Sequence, residues 1–154
     1  MDVPSAIVSA QLRHRKGHLE ILEITRDRGC SWNDVQICAS AASGGRLEVL
    51  KWLREVAGCE WDTDTPFHAA LGLTPRNLVR PLINPAGNRE QVLRYAIENG
   101  CPCDETVCTN VARAGNIELL KWLREKGCPW DQFGIEAKAQ KERQLELFWW
   151  VRQF

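Results

Sequence analysis

Seven cysteines and three histidines are the side chains in this 154-residue sequence best suited to hold a metal ion or to attack a substrate. Cys101, Cys103 and Cys108, with Cys128 further on, offer thiols at intervals that a tetrahedral zinc site can use. The first three are the trio whose spacing would let them converge. A Cys–His nucleophile needs a third group to orient the base and a donor for the developing oxyanion. His14, His18 and His68 stand in no spacing that supplies these. Glu20, Glu48, Glu118 and Glu146 lie too far apart in the chain to form a catalytic carboxylate pair. The odd thiol count predicts free cysteines in a reducing, intracellular compartment, as does the lack of a basic stretch leading into an apolar core over residues 1–18. Twenty Lys and Arg balance twenty Asp and Glu, which argues against nucleic acid as the main partner, because phosphate binding rests on clustered cations. No apolar run approaches the roughly 20 residues needed for membrane insertion. These residues predict no catalysis, no cofactor and no resident metal. A zinc-binding protein is the least favoured alternative.

The cysteines belong to a repeat. Residues 17–33, 45–62, 87–104 and 115–131 superpose on one another, and residues 144–153 open a fifth copy. Cys30 to Cys59 spans 29 residues, Gly17 to Gly45 spans 28 and Cys101 to Cys128 spans 27. Cys30, Cys59, Cys101 and Cys128 therefore fill one slot, and Cys38 and Cys108 fill another. Cys103 stands where other copies carry Trp32, Trp61 and Trp130, so that slot asks for buried bulk. Apolar residues recur at Leu19, Leu47, Ile117 and Leu145, and a further apolar slot holds Ile24, Trp52, Tyr95, Trp122 and Trp150. That spacing covers more than one face of a helix, as packing between neighbours requires.

The glutamates named above fall in the first turn of these helices, and Arg26, Arg54, Arg124 and Arg152 in the last, matching the helix dipole. Gly29, Gly58, Gly100 and Gly127 follow as stops. Asn33, Asp62, Asp104 and Asp131 are N-caps for a second kind of helix, short and rich in alanine. Helix pairs are predicted near 4–16/18–28, 33–43/46–56, 64–71/89–99, 104–114/116–126 and 132–141/143–153. The fold class is all-α, a single domain of about five helix-turn-helix repeats near 4–30, 31–59, 60–101, 102–128 and 129–154. No lone hairpin of this kind buries its apolar faces, so the copies must stack into a solenoid.

Thr65-Pro66-Phe67-His68-Ala69-Ala70 resembles the opening T-P-L-H-x-A of ankyrin repeats. The Trp-rich and Cys-rich segments around Leu47–Leu53 and Gly127–Asp131 resemble the ankyrin-like repeats of large DNA viruses and protists. The resemblance implies an ankyrin-like α-solenoid acting as a protein-binding scaffold. It also implies that His68 hydrogen-bonds turn backbone. The period of 27 to 29 is shorter than the common 33 or so, which implies a loop where ordinary ankyrin repeats carry a β-hairpin finger.

Two features depart from the repeat. Cys59 to Cys101 spans 42 residues, which places an insertion near 72–87 in the third copy. It contains three prolines, apolar Leu78, Leu82 and Ile83, and basic Arg76 and Arg80, with no acidic residue from Thr65 to Arg89. Such an insertion either docks a partner, an acidic one by its charge, or folds back over its own groove. Trp149 occupies a slot held elsewhere by Glu23, Lys51, Arg94 and Lys121, so it is expected to be an exposed contact. Arg76, Leu78, Arg80, Leu82, Ile83 and Trp149 are thus the candidate partner-binding residues. The leading function is a protein–protein interaction module. A permanent subunit of a larger assembly, or self-association through the C-terminal end, is the alternative.

Overall fold

The computed structural model describes residues 35–71, 73, 86–141 and 143–153. Among them are eight α-helices and no strand. They are α1 (Val35–Ser43), α2 (Leu47–Glu55), α3 (Asp64–Leu71), α4 (Ala86–Glu98), α5 (Glu105–Arg113), α6 (Ile117–Glu125), α7 (Gln132–Lys141) and α8 (Leu145–Val151). The described part of the chain is therefore all-α. None of these helices is long and apolar enough to cross a membrane. The first pair expected near 4–16/18–28 lies outside the described residues, as do Arg76, Leu78, Arg80, Leu82 and Ile83. The insertion was expected to reach residue 87, but α4 already begins at Ala86, so Ala86 and Gly87 belong to the helix.

Helices this short are marginal alone and depend on what they pack against. Local chemistry fixes where they start and stop. Asp104 Oδ1 accepts the Thr106 amide, Asn116 Oδ1 accepts that of Leu119, and Asp131 Oδ1 accepts that of Gly134. Asp62 Oδ1 likewise accepts the Asp64 amide. Gly58, Gly100 and Gly127 follow α2, α4 and α6 in the left-handed region, at φ +67°, +79° and +80°, where a side chain would strain the backbone.

The helices contact one another in two rows. In one, α1 packs on α3, α3 on α5 and α5 on α7; in the other, α2 packs on α4. Within each pair the two helices also touch, α1 with α2, α3 with α4, α5 with α6 and α7 with α8. One continuous core runs through all four pairs, from Ile37, Leu50 and Leu53 through Val92 and Leu93 to Leu119, Leu120, Leu123 and Ile135. A buried arginine ties the second pair to the first. Arg89, at 5% exposure, donates from Nε and Nη2 to the Ser43 carbonyl at 3.2 and 3.1 Å, closing the end of α1.

Candidate interaction surface on the last helix pair

The four pairs are built on one template, so equivalent positions can be compared. Arg46, Asn116 and Gln144 each donate an amide back to the preceding helix, to Ala41, Val111 and Ala139. That bond closes the last turn of α1, α5 and α7. In the second-helix row, Lys51, Arg94 and Lys121 fall in one slot, and each cation reaches an aromatic ring of the next pair. Lys51 Nζ lies 6.0 Å from the centre of Tyr95, Arg94 Cζ 4.7 Å from Trp122, and Lys121 Nζ 6.0 Å from Trp150. The same face of α4 also reaches forward through Glu90, whose Oε2 accepts Asn116 Nδ2 at 3.2 Å. This face of a second helix is therefore the one turned toward the next pair.

Two of the joints carry a second stack. Arg54 lies 4.7 Å over Trp61, and Trp61 meets Tyr95 edge-on at 6.1 Å. Arg124 lies 4.2 Å over Trp130, and Trp130 meets Trp150 at 5.9 Å. The loop tryptophans Trp61 and Trp130 thus bridge one pair to the next. In the intervening joint, Ile97 stands in the arginine slot and Cys103 in the tryptophan slot, so both halves of the stack are exchanged together.

The thiols sort differently from the zinc-like trio of the sequence. Cys101 does not join Cys103 and Cys108. Its thiol donates to the Asp62 carbonyl at 3.3 Å, and it lies within electrostatic reach of the hydrogen-bonded pair Cys38 and Cys59. Cys103 and Cys108 group instead with Cys128, and the Cys103 thiol is hydrogen-bonded to Cys128. The reason is the repeat itself: Cys101 ends one pair and Cys108 lies inside the next. Among the described residues no three His, Cys, Asp or Glu side chains could hold a metal ion. Burial, reinforced by Asp62, pushes the Cys101 thiol up to about 12, and burial followed by Cys128 does the same for Cys108. Cys38 is raised by its hydrogen bond to Cys59 and then by burial. The bond from Cys103 holds Cys128 below the ordinary thiol value, against the effect of burial.

His68 is also structural. Its Nδ1–H donates to the Asp64 carbonyl at 2.8 Å. The resemblance pointed to a turn as acceptor, but the bond stays within the first turn of α3. Beside this helix an open groove of about 350 Å³ runs over the first-helix row, bordered by Phe67 and Leu71 and by Glu105, Thr109, Arg113 and Asp131.

The last pair breaks the template in two opposite ways. Cys108, Asn110 and Ala112 of α5 are buried; the equivalent positions of α7 are Glu136, Lys138 and Gln140. Glu136 Oε1 pairs with Arg152 Nε at 3.3 Å, so the outer side of α7 is finished in polar groups. The outer side of α8 is not. Leu47 and Ile117 are partly buried against the core, yet Leu145 in the same slot is 68% exposed. Trp149, in the slot of the three cations, is 61% exposed, as its place in the sequence predicted. Arg152 covers part of this end, at 5.4 Å from Phe148 and 6.0 Å from Trp149. Phe133, in the first turn of α7, is 82% exposed. The exposure of Leu145 and Phe133 was not foreseen: the repeat pattern assigned Leu145 to the core, and Phe133 falls in no repeat slot.

No family model matches this sequence, and no curated protein or solved structure matches it either.

Proposed function

We propose that the chain is a protein–protein interaction module built as an ankyrin-like α-solenoid. One observation carries this reading: Leu145 and Trp149 put apolar side chains into water on a helix whose counterparts, at the Trp149 position, hold cations that reach an aromatic ring of the next pair. Large apolar side chains clustered in water favour association, because covering them releases roughly 25 cal/mol for each Å² removed. Helix pairs in two rows, short loops and a Thr-Pro-Phe-His-Ala-Ala opening on α3 support the ankyrin-like description. The six described cysteines, all free thiols and five of them buried, fit a reducing compartment. The insertion residues Arg76, Leu78, Arg80, Leu82 and Ile83 remain proposed contacts on the strength of their chemistry alone.

The test is Trp149→Lys. Trp149 is exposed, so the substitution leaves the core intact, and thermal unfolding should be unchanged within about 0.5 kcal/mol. Affinity capture with the two proteins, read by quantitative mass spectrometry, should lose at least one stoichiometric partner from the variant. Identical capture profiles and identical assembly state would remove the support for this reading.

A further inference from the structure

Three of the described pairs are followed by a cysteine: Cys59 after α2, Cys101 after α4 and Cys128 after α6. In the α3–α4 pair this closing thiol returns to the loop that opens the pair, where Cys101 Sγ donates to the Asp62 carbonyl at 3.3 Å. In the α5–α6 pair the same return brings Cys128 to Cys103, the residue before Asp104, which is the counterpart of Asp62. The neighbouring pairs carry Trp61 and Trp130 in the Cys103 position. The exchange of an indole for a thiol thus sets two sulfurs in hydrogen-bond contact. A 3.8 Å approach to the Asp104 carbonyl is too long to compete for the Cys103 proton.

The other hydrogen-bonded thiol pair, Cys38 with Cys59, supplies the contrast. Both of its residues are fully buried, and Cys38 lies inside α1. Cys128 keeps 7% exposure and Cys103 is half-buried, so a small reagent reaches them and a bulky one does not. Both stand in loops, Cys103 ahead of α5 and Cys128 behind α6, so their sulfurs can close to bonding distance without bending a helix. Cys103 donates the hydrogen bond, which leaves Cys128 as the sulfur on which negative charge gathers.

We propose that Cys103 and Cys128 form a site of reversible oxidation by a hydroperoxide, closing as an intramolecular disulfide that joins the two ends of the α5–α6 pair. The Cys128 thiolate attacks one peroxide oxygen, the O–O bond breaks, and a sulfenic acid forms while the other oxygen leaves and takes a proton from water. The Cys103 sulfur then attacks the Cys128 sulfur. An S–S bond replaces the S–O bond, and the Cys103 proton departs with the hydroxyl group as water. The two sulfurs together lose two electrons and the peroxide gains them. A thiol reductant reopens the bond by exchange, so in a reducing compartment it is transient.

The test exposes the full 154-residue chain, reduced and desalted, to a few equivalents of hydrogen peroxide. Free thiols are then alkylated, and the chain is digested without reductant for mass spectrometry. A Cys103–Cys128 linked peptide is expected, forming about 10-fold or more faster than thiols are lost at Cys38, Cys59 and Cys101. In denaturing urea that preference should vanish. Cys103→Ser should stop at a Cys128 sulfenic acid that dimedone traps. Closing residues 103–128 into a ring restricts the unfolded chain, so peroxide should raise the melting temperature by roughly 5 °C or more in the wild type and not in Cys103→Ser. Links from Cys108, links between two chains, or equal loss of all the thiols in the folded protein would each overturn the proposal. So would a preference that survives in urea, or a cross-linked chain that melts below the reduced one.

Discussion

The α6 and α8 helices carry one sequence pattern in different surroundings. Ile117, Leu120 and Trp122 are matched by Leu145, Phe148 and Trp150, and Glu118 by Glu146. In the inner pair Ile117 is tucked against the core; in the outer pair Leu145 stands in water. Burial in this molecule is thus conferred by the neighbouring pair and not by the residue. The first helices show the converse, because there the residues themselves change. α5 closes on α7 with Cys108 and Ala112, whereas α7 ends in Glu136 and Gln140.

The sharpest way to break this comparison is to truncate equivalent side chains. Leu120 is fully buried, so Leu120→Ala should cost about 3 kcal/mol through lost transfer energy and a residual cavity. Leu145→Ala should cost less than about 0.5 kcal/mol. Urea unfolding of both variants checks this, and equal losses would mean that α8 is covered after all.

Next in size is an alkaline effect confined to the inner pairs. The Cys101 and Cys108 thiols are raised to about 12, above their ordinary value of 9.0. A raised value stabilises the fold fully below pH 9, and the contribution is lost as pH climbs from 9 toward 12. By pH 10 the loss is about 1 kcal/mol for each thiol. Urea midpoints under reductant at pH 7.5 and pH 10 should fall accordingly, and Cys108→Ala should remove only its own share of about 1 kcal/mol, because Cys38, Cys101 and Cys103 are raised as well.

A smaller effect separates the turns within the pairs. Gly45 and Gly115 adopt φ +66° and +75° between the two helices of a pair, and the last pair places Arg143 there at φ +57°. A side chain in this region strains the backbone by about 1–2 kcal/mol, partly offset by the lower entropy of the unfolded chain. Arg143→Gly should therefore raise stability by about 0.5–1 kcal/mol, and Gly115→Ala should lower it by a similar amount. Thermal melts of the two variants should move in opposite directions.

How much of this was legible in the sequence follows from what the repeat encodes. The four described pairs fall within a few residues of the predicted spans, because caps such as Asp104 and Asp131 and stops such as Gly100 and Gly127 are local signals. Trp149 was legible as exposed because three cations share its slot. Leu145 was not, since Leu19, Leu47 and Ile117 share its slot and only the three-dimensional neighbour decides whether it is covered. The thiol trio misled for a related reason. Cys101 and Cys103 are adjacent in number, but the chain turns between them, so one faces the pair behind and the other the pair ahead. The joint stack of Arg124 and Trp130 was half visible: the repeat marks the tryptophan slot as one that asks for bulk, and the dipole accounts for Arg124 without its ring partner.

That cation supplies the finest discrimination between the pairs. Arg124 lies 4.2 Å over Trp130, part-buried between two pairs, whereas Arg152 in the same slot is paired with Glu136 at a surface where its side chain is 53% exposed. A guanidinium over an indole that is shielded from water keeps its attraction, because the ring's quadrupole is not screened by intervening solvent. An exposed ion pair loses most of its Coulomb energy to water and to the ordering of two long side chains. A double-mutant cycle on Arg124→Ala and Trp130→Ala should therefore give a coupling of about 1 kcal/mol. The cycle on Glu136→Ala and Arg152→Ala should give about 0.3 kcal/mol and vanish in 1 M salt. The salt arm carries the decision: the stack should keep most of its coupling there, since adjacent faces exclude ions. If both couplings fade alike, the joint between pairs is wetter than the contacts of Trp130 and Trp150 imply.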